Sequence, residues 1–273
     1  MEKHANHGAD DALRKAVVRT AALLRTVPDA GAAVPGLTWT IAETAAHLVA
    51  ELQTYTDLIT GRRNAADDAR HGPDEDTPSG RTAAANTGQL SAFTERDPAR
   101  LADMLVPAAE GFLAAGSRCP DGVAIATPNG LDMTVPTMIT VLLGEQLVHG
   151  LDIARTVKAP WPIDRRDALL VIDGVMTMVP GYLDRERTAG RHLGYELRFR
   201  SGPRYRLAID DGTAVVTEAG ERVDCWISAD PVAFLLLGYG RAAQWGQILK
   251  GKLVAGGRKP WLGLSFGRLI TGP

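Results

Sequence analysis

The segment PTMITVLLGEQLVHGLDIARTV, residues 136–157, constrains the fold more than any other part of the chain. It is apolar around most of a helical circumference, so as a helix it has no face to give to water and needs other helices on several sides. Charged residues interrupt it, and no apolar run in the chain reaches the roughly 18 residues that a membrane span requires. The segment therefore predicts the central member of a soluble helical bundle. Within it stand two polar side chains, Glu145 and His149, four residues apart.

Partners for that helix are legible upstream. DDALRKAVVRTAALLRTV places Leu13, Val17, Val18, Ala21, Leu24 and Val27 near one helical face, and Pro28 ends the run. About ten loose residues are expected before it. GLTWTIAETAAHLVAELQTYTDLITGR opens with Thr40 and Glu43 at capping-box spacing and can close at Gly61. Helical patterning returns in TAAANTGQLSAFTER and in DPARLADMLVPAAEGFLAAG, where Pro98 sits in the first turn and its missing N–H does no harm. Between Gly61 and the first of these lies a polar, Pro- and Gly-rich stretch over 62–81, read as a long loop and a candidate cover for a site. CPDGVAIATPNGLDMTV reads as a short extended excursion turning at Pro-Asn-Gly.

Composition changes after KAPWPID. DALLVIDGVMTMVPGYLD predicts a connecting helix, and YELRFRSGPRYRLAIDDGTAVVTEAGERVDCWISAD then alternates apolar and polar residues in short runs broken by turn residues. Asp211-Gly212 suits a two-residue hairpin. The ending returns to short helices. The expected organisation is thus an all-α four-helix bundle over 1–157, a linker and connecting helix over 158–189, and an α+β domain over 190–273 with an antiparallel sheet covered by helices.

Composition also excludes some functions. With 30 basic and 32 acidic residues spread evenly, the chain offers no stripe that would follow a phosphate backbone, so nucleic acid is not an expected partner. A membrane is not expected either. Cys119 and Cys225 lie in no CxxC pattern, which argues against a zinc knuckle or a disulfide framework. The polar N-terminus MEKHANHGADDALRK lacks an apolar leader core, and a cytoplasmic location is expected.

Glu145 and His149, at i and i+4, are about 40° apart around a helix and can point at one object. His47, flanked by Ala45, Ala46, Leu48 and Val49, should face the bundle axis from another helix. Two neutral imidazoles and one carboxylate leave a divalent ion such as zinc with a free coordination position, the plan of a catalytic site. Spacing alone leaves another reading open, in which each histidine is a hydrogen-bonded core residue and the pair is an intrahelical contact. Glu51 and Tyr55 follow His47 on the same face, and Glu51 is expected at the solvated rim.

The combination of WTIAETAAHL with EQLVHGLDIAR about a hundred residues later resembles the mycothiol-dependent maleylpyruvate isomerase family of the DinB-like metalloenzyme superfamily, through Trp39, His47, Glu145, His149, Gly150, Asp152 and Ala154. The resemblance implies a DinB-like bundle whose metal ligands are His47, Glu145 and His149, with zinc as the usual ion and mycothiol as thiol cosubstrate. It also implies a sterol-carrier-like C-terminal domain. There SADPVAFLLLGYGR is similar to a family element ending in a catalytic arginine, which makes Arg241 the candidate catalytic residue.

Trp39 and Tyr55 are candidates to contact the cofactor. Asp152 is open between bonding an imidazole or sugar hydroxyl and pairing with Arg155 at i+3. The expected activity is isomerisation or S-transfer on a small electrophilic substrate, by a monomer or homodimer. Two other readings stay open: a metal-dependent hydrolase with Glu51 or Asp152 as base, and a sterol-carrier-like binding protein without catalysis.

Overall fold

The computed structural model describes residues 2–64, 78–218 and 222–271. The chain divides into two compact units, Met1–Ile163 and Asp164–Pro273. No helix among the described residues is long and apolar enough to cross a membrane.

The first unit is built on α1 (Glu2–Leu24), α2 (Ile41–Ile59), α4 (Pro98–Gly116) and α5 (Val135–Thr156), with α3 (Pro78–Ala92) against α2. The expected loose N-terminus is instead helical from Glu2 onward. Leu13, Val17, Ala21 and Leu24 are buried as the spacing predicts, whereas Val18 faces solvent. A closed capping box starts α2: the Glu43 amide donates to the Thr40 hydroxyl and the Glu43 carboxylate accepts from the Thr40 amide at 2.8 Å. That box fixes where the helix begins, and therefore the direction in which His47, two turns along, points. The α5 helix buries residues on every side, as its all-round apolar composition requires, and it packs against α1 and α2.

A small hairpin, β1 (Ile125–Ala126) and β2 (Asp132–Met133), leads into α5. Its turn uses Gly130 at φ 77°, a conformation open to glycine at little cost. After α5, Trp161 folds back on the bundle. Its indole N–H donates to the Leu147 carbonyl at 2.9 Å, its ring lies over Gly150, and the Arg19 guanidinium caps it 3.7 Å from the ring centre. Gly150 is therefore needed for close approach of the ring: a Cβ there would overlap the indole.

The second unit opens with α6 (Arg165–Met178), a 3-10 turn over Val179–Tyr182 and the short α7 (Arg185–Thr188). Five strands follow: β3 (His192–Phe199), β4 (Arg204–Asp210), β5 (Thr213–Glu218), β6 (Cys225–Ala229) and β7 (Leu253–Gly257), in the order β5-β4-β3-β6-β7. The short helices α8 (Pro231–Gly238), α9 (Gln244–Leu249) and α10 (Leu262–Ser265) accompany them. Asp211 and Gly212 both take positive φ in the β4–β5 hairpin, as that dipeptide favours.

Two features depart from the sequence reading. The sheet is mixed rather than antiparallel, because β6 runs parallel beside β3. The strand β7 also lies in a tail expected to be helical throughout. On one face Tyr195, Leu197, Phe199, Leu207, Ile209 and Ile227 pack with Ile172 and Met176 of α6, so α6 is a structural part of the second unit's core. On the other, Glu196 pairs with Arg198 and Arg204, and the Arg198 guanidinium lies over Trp226. The period-two alternation thus separates an apolar from a charged face.

Candidate metal centre

His47 of α2 and Glu145 and His149 of α5 come together inside the bundle. One donor atom from each lies within 4.8 Å of the others. Glu145 Oε2 sits between the two rings, 3.3 Å from His47 Nε2 and 3.0 Å from His149 Nε2. Both imidazoles are buried. Trp39, just ahead of the α2 cap, lies against both, its ring centre 5.0 Å from that of His47 and 6.0 Å from that of His149.

Outer contacts orient the rings. Asp152 Oδ2 is 3.2 Å from His149 Nδ1, and the residue is buried. A carboxylate on Nδ1 fixes that nitrogen as the protonated one and leaves Nε2 to face Glu145. His47 Nδ1 has no hydrogen-bond partner among the described residues. Tyr55 packs against Phe112 at 6.5 Å between ring centres, and its hydroxyl reaches Met133 Sδ.

Glu51 was expected at the rim, and the structure corrects this: the residue is buried, with Oε2 4.0 Å from His47 Nε2. The signal that could have found it is its own spacing, i+4 from His47. Arg241 belongs to the second unit, in the turn after α8, where its guanidinium donates to the Tyr239 carbonyl at 2.6 Å. The proposed cover lies largely outside the described residues, over 65–77. At its described start Arg62 pairs with Asp57 and Arg63 donates to Thr54.

The titration of the group follows from its burial. Burial pulls the His47 imidazole down, against the hydrogen bond to Glu145. For Glu145, burial alone would raise the carboxyl, but hydrogen bonds from His149 and His47 outweigh it and hold it well below the usual carboxylate range. Burial opposes the charge on His149 too, yet the bonds to Asp152 and Glu145 prevail and push it up to about 9. Burial, then the Glu145 charge, raises Glu51 well above its ordinary value.

Two buried imidazole nitrogens and a half-buried carboxylate oxygen, convergent, fit the donor set that binds a divalent ion at a catalytic site. The group contains neither free cysteine, Cys119 or Cys225.

Comparison with known proteins agrees with this geometry. The model of the mycothiol maleylpyruvate isomerase N-terminal domain matches residues 13–154, more than half of the chain. Among solved structures, the mycothiol-dependent maleylpyruvate isomerase is similar over 98% of this chain and 96% of its own, at 13% identity and TM-score 0.54. A His-to-Ala mutant of that isomerase gives the same figures. Sterol carrier protein 2 from Yarrowia lipolytica aligns with 35% of this chain and 91% of its own, at 16% identity and TM-score 0.25. No curated protein matches in sequence. With its bundle matched over nearly the full length and His47, Glu145 and His149 converging within it, the protein belongs to the mycothiol maleylpyruvate isomerase N-terminal domain family, an enzyme family.

Proposed function

We propose that the protein is a metal-dependent enzyme that uses mycothiol as thiol cosubstrate and adds it to, or transfers it onto, a small electrophile. His47, Glu145 and His149 hold the divalent ion, with zinc the best match to a donor set of two imidazoles and one carboxylate. The ion supplies one thing, a lowered thiol pKa, so that sulfur is available as the thiolate near neutral pH. The chain contributes the rest. Asp152 holds the His149 tautomer, Trp39 shields the imidazoles from water, and the sulfur comes from the cosubstrate because neither cysteine joins the donor group.

Arg241 would pair with a substrate carboxylate or with the enolate charge that develops as the thiolate adds, for which a planar guanidinium is suited. Tyr55, further along α2, is proposed as a cosubstrate contact. The second unit is proposed to be sterol-carrier-like, and the enzyme to act in the cytoplasm. The observation that carries the reading is the convergence of two buried imidazoles and a half-buried carboxylate within a family named for a mycothiol-dependent isomerase.

The test incubates zinc-loaded protein with mycothiol and cis-configured unsaturated oxo-acids or other electrophiles. Isomerised product or an S-conjugate should form only with both ion and thiol present. Product formed equally well without thiol would replace this reading with hydrolysis by a metal-activated water.

A further inference from the structure

The polar face of α2 does not end at His47. Glu51 follows one turn later, only 9% exposed, and its Oε2 has no hydrogen-bond partner among the described residues. That side chain lies 4.0 Å from His47 Nε2, the same nitrogen that faces Glu145. Neither carboxylate has a lysine or arginine partner among the described residues. An enclosed carboxylate without donors is strongly disfavoured unless a positive charge is present or the group takes up a proton. Glu145 is served by the two imidazoles, 3.3 Å from His47 Nε2 and 3.0 Å from His149 Nε2, which leaves Glu51 as the carboxylate short of donors.

The two helices present matching pairs. On α2 the order is His47 then Glu51, on α5 it is Glu145 then His149, each at i and i+4. Each helix thus turns one imidazole and one carboxylate toward its neighbour. Bundle proteins that hold metal ions build their sites in this way, from carboxylates and histidines a turn apart on facing helices.

We propose that Glu51 is a fourth protein donor to the ion, so that the resting centre is formed by His47, Glu51, Glu145 and His149. The inference rests on the metal-centre reading above and deepens it. Two atoms bound to one ion at about 2.0–2.2 Å are at most about 4.2 Å apart. The separations of 4.0 Å for Glu51 and His47, 3.3 Å for Glu145 and His47, and 3.0 Å for Glu145 and His149 are within that limit. Glu51 stands outside the three donors that lie within 4.8 Å of one another and joins the ion by a change of its own side-chain rotamer. Charge points the same way: a divalent ion with one carboxylate keeps a net charge of about +1, and with two it is neutral, which suits an enclosed apolar setting.

The experiment is a cobalt(II) titration of the full-length protein without thiol, read by visible absorption and calorimetry. It compares wild type, Glu51→Gln, Glu51→Asp and His149→Ala, each checked for folding by circular dichroism. Wild type should bind one equivalent. Glu51→Gln should bind roughly 10- to 100-fold more weakly with a changed d–d spectrum, and Glu51→Asp should recover part of the loss. Absence of binding to wild type overturns the metal-centre reading itself. Wild-type binding with the same affinity and spectrum in Glu51→Gln overturns only the role of Glu51. Should Glu51→Gln fail to fold, a crystal structure of zinc-loaded wild type reads the same point: a Glu51 oxygen bonded to the ion supports the proposal, and a carboxylate turned away from it overturns it.

Discussion

The two units solve the problem of burial in opposite ways. Setting tyrosine and cysteine aside, every buried polar or charged side chain among the described residues lies in the first unit, except Thr188. The first unit encloses His47, Glu51, Gln146, His149 and Asp152; the second encloses a cluster of aliphatic and aromatic side chains and puts its charges on the open face of the sheet. Burying polar groups costs stability unless they find partners. Among the described residues, the buried imidazoles and carboxylates of the first unit all lie on α2 and α5, which is what the proposed metal centre would account for. The second unit shows what the same chain does when only packing is required.

A matched pair of glycine substitutions sharpens this contrast most. In each unit one glycine lies under a tryptophan ring, Gly150 under Trp161 and Gly256 under Trp226, and a Cβ at either would overlap the indole. Gly150→Ala and Gly256→Ala should each cost about 1–3 kcal/mol by overpacking, read from denaturant unfolding. Only Gly150→Ala, next to His149, should also weaken metal binding. Equal loss of metal affinity in both variants would mean that the centre does not belong to the bundle alone.

Asp152→Asn comes next. It removes the charge that fixes His149 while keeping the shape, and should lower metal affinity roughly 10- to 100-fold without dissolving the fold. A fold that collapses instead would make Asp152 a core residue first and a positioning group second.

The pH response should differ between the units as well. The His149 pKa rises from 6.5 to about 9 in the folded, metal-free chain, so its proton stabilises that fold fully below 6.5 and progressively less as pH rises through about 9. The ion needs the same nitrogen unprotonated, so metal affinity should climb across that window and level off above it. In the second unit, burial pushes Tyr195 from 10 up to about 12, so the stability tied to its neutral phenol is lost only as pH rises through that higher range. Calorimetric binding from pH 6 to 10 measures the first effect; an affinity that is flat or falls with pH would contradict the assignment of His149. The smallest effect expected on the ion is from Arg241→Ala, which should leave metal affinity unchanged while turnover is lost.

Much of this was legible in the sequence because the signals were local. The Thr40–Glu43 box marked the start of α2, the all-round apolar stretch marked α5 as central, and the four-residue spacing of Glu145 and His149 placed two donors on one face. Glu51 was misplaced because a lone glutamate in a helix is normally solvated, and its neighbour across the bundle is 94 positions away. The parallel pairing of β3 with β6 was missed for the same reason: hydrophobic alternation sets which face a residue takes, not which strand lies beside it. The β7 strand hid in a five-residue run ending in two glycines, too short to outweigh the helical segments around it.

The most direct test is metal analysis of the purified protein under non-chelating conditions, wild type beside His149→Ala. Wild type should carry one divalent ion per chain and His149→Ala should carry none. A wild-type protein that holds no stoichiometric ion, or a variant that retains it, would contradict the claim that His47, Glu145 and His149 form a metal centre.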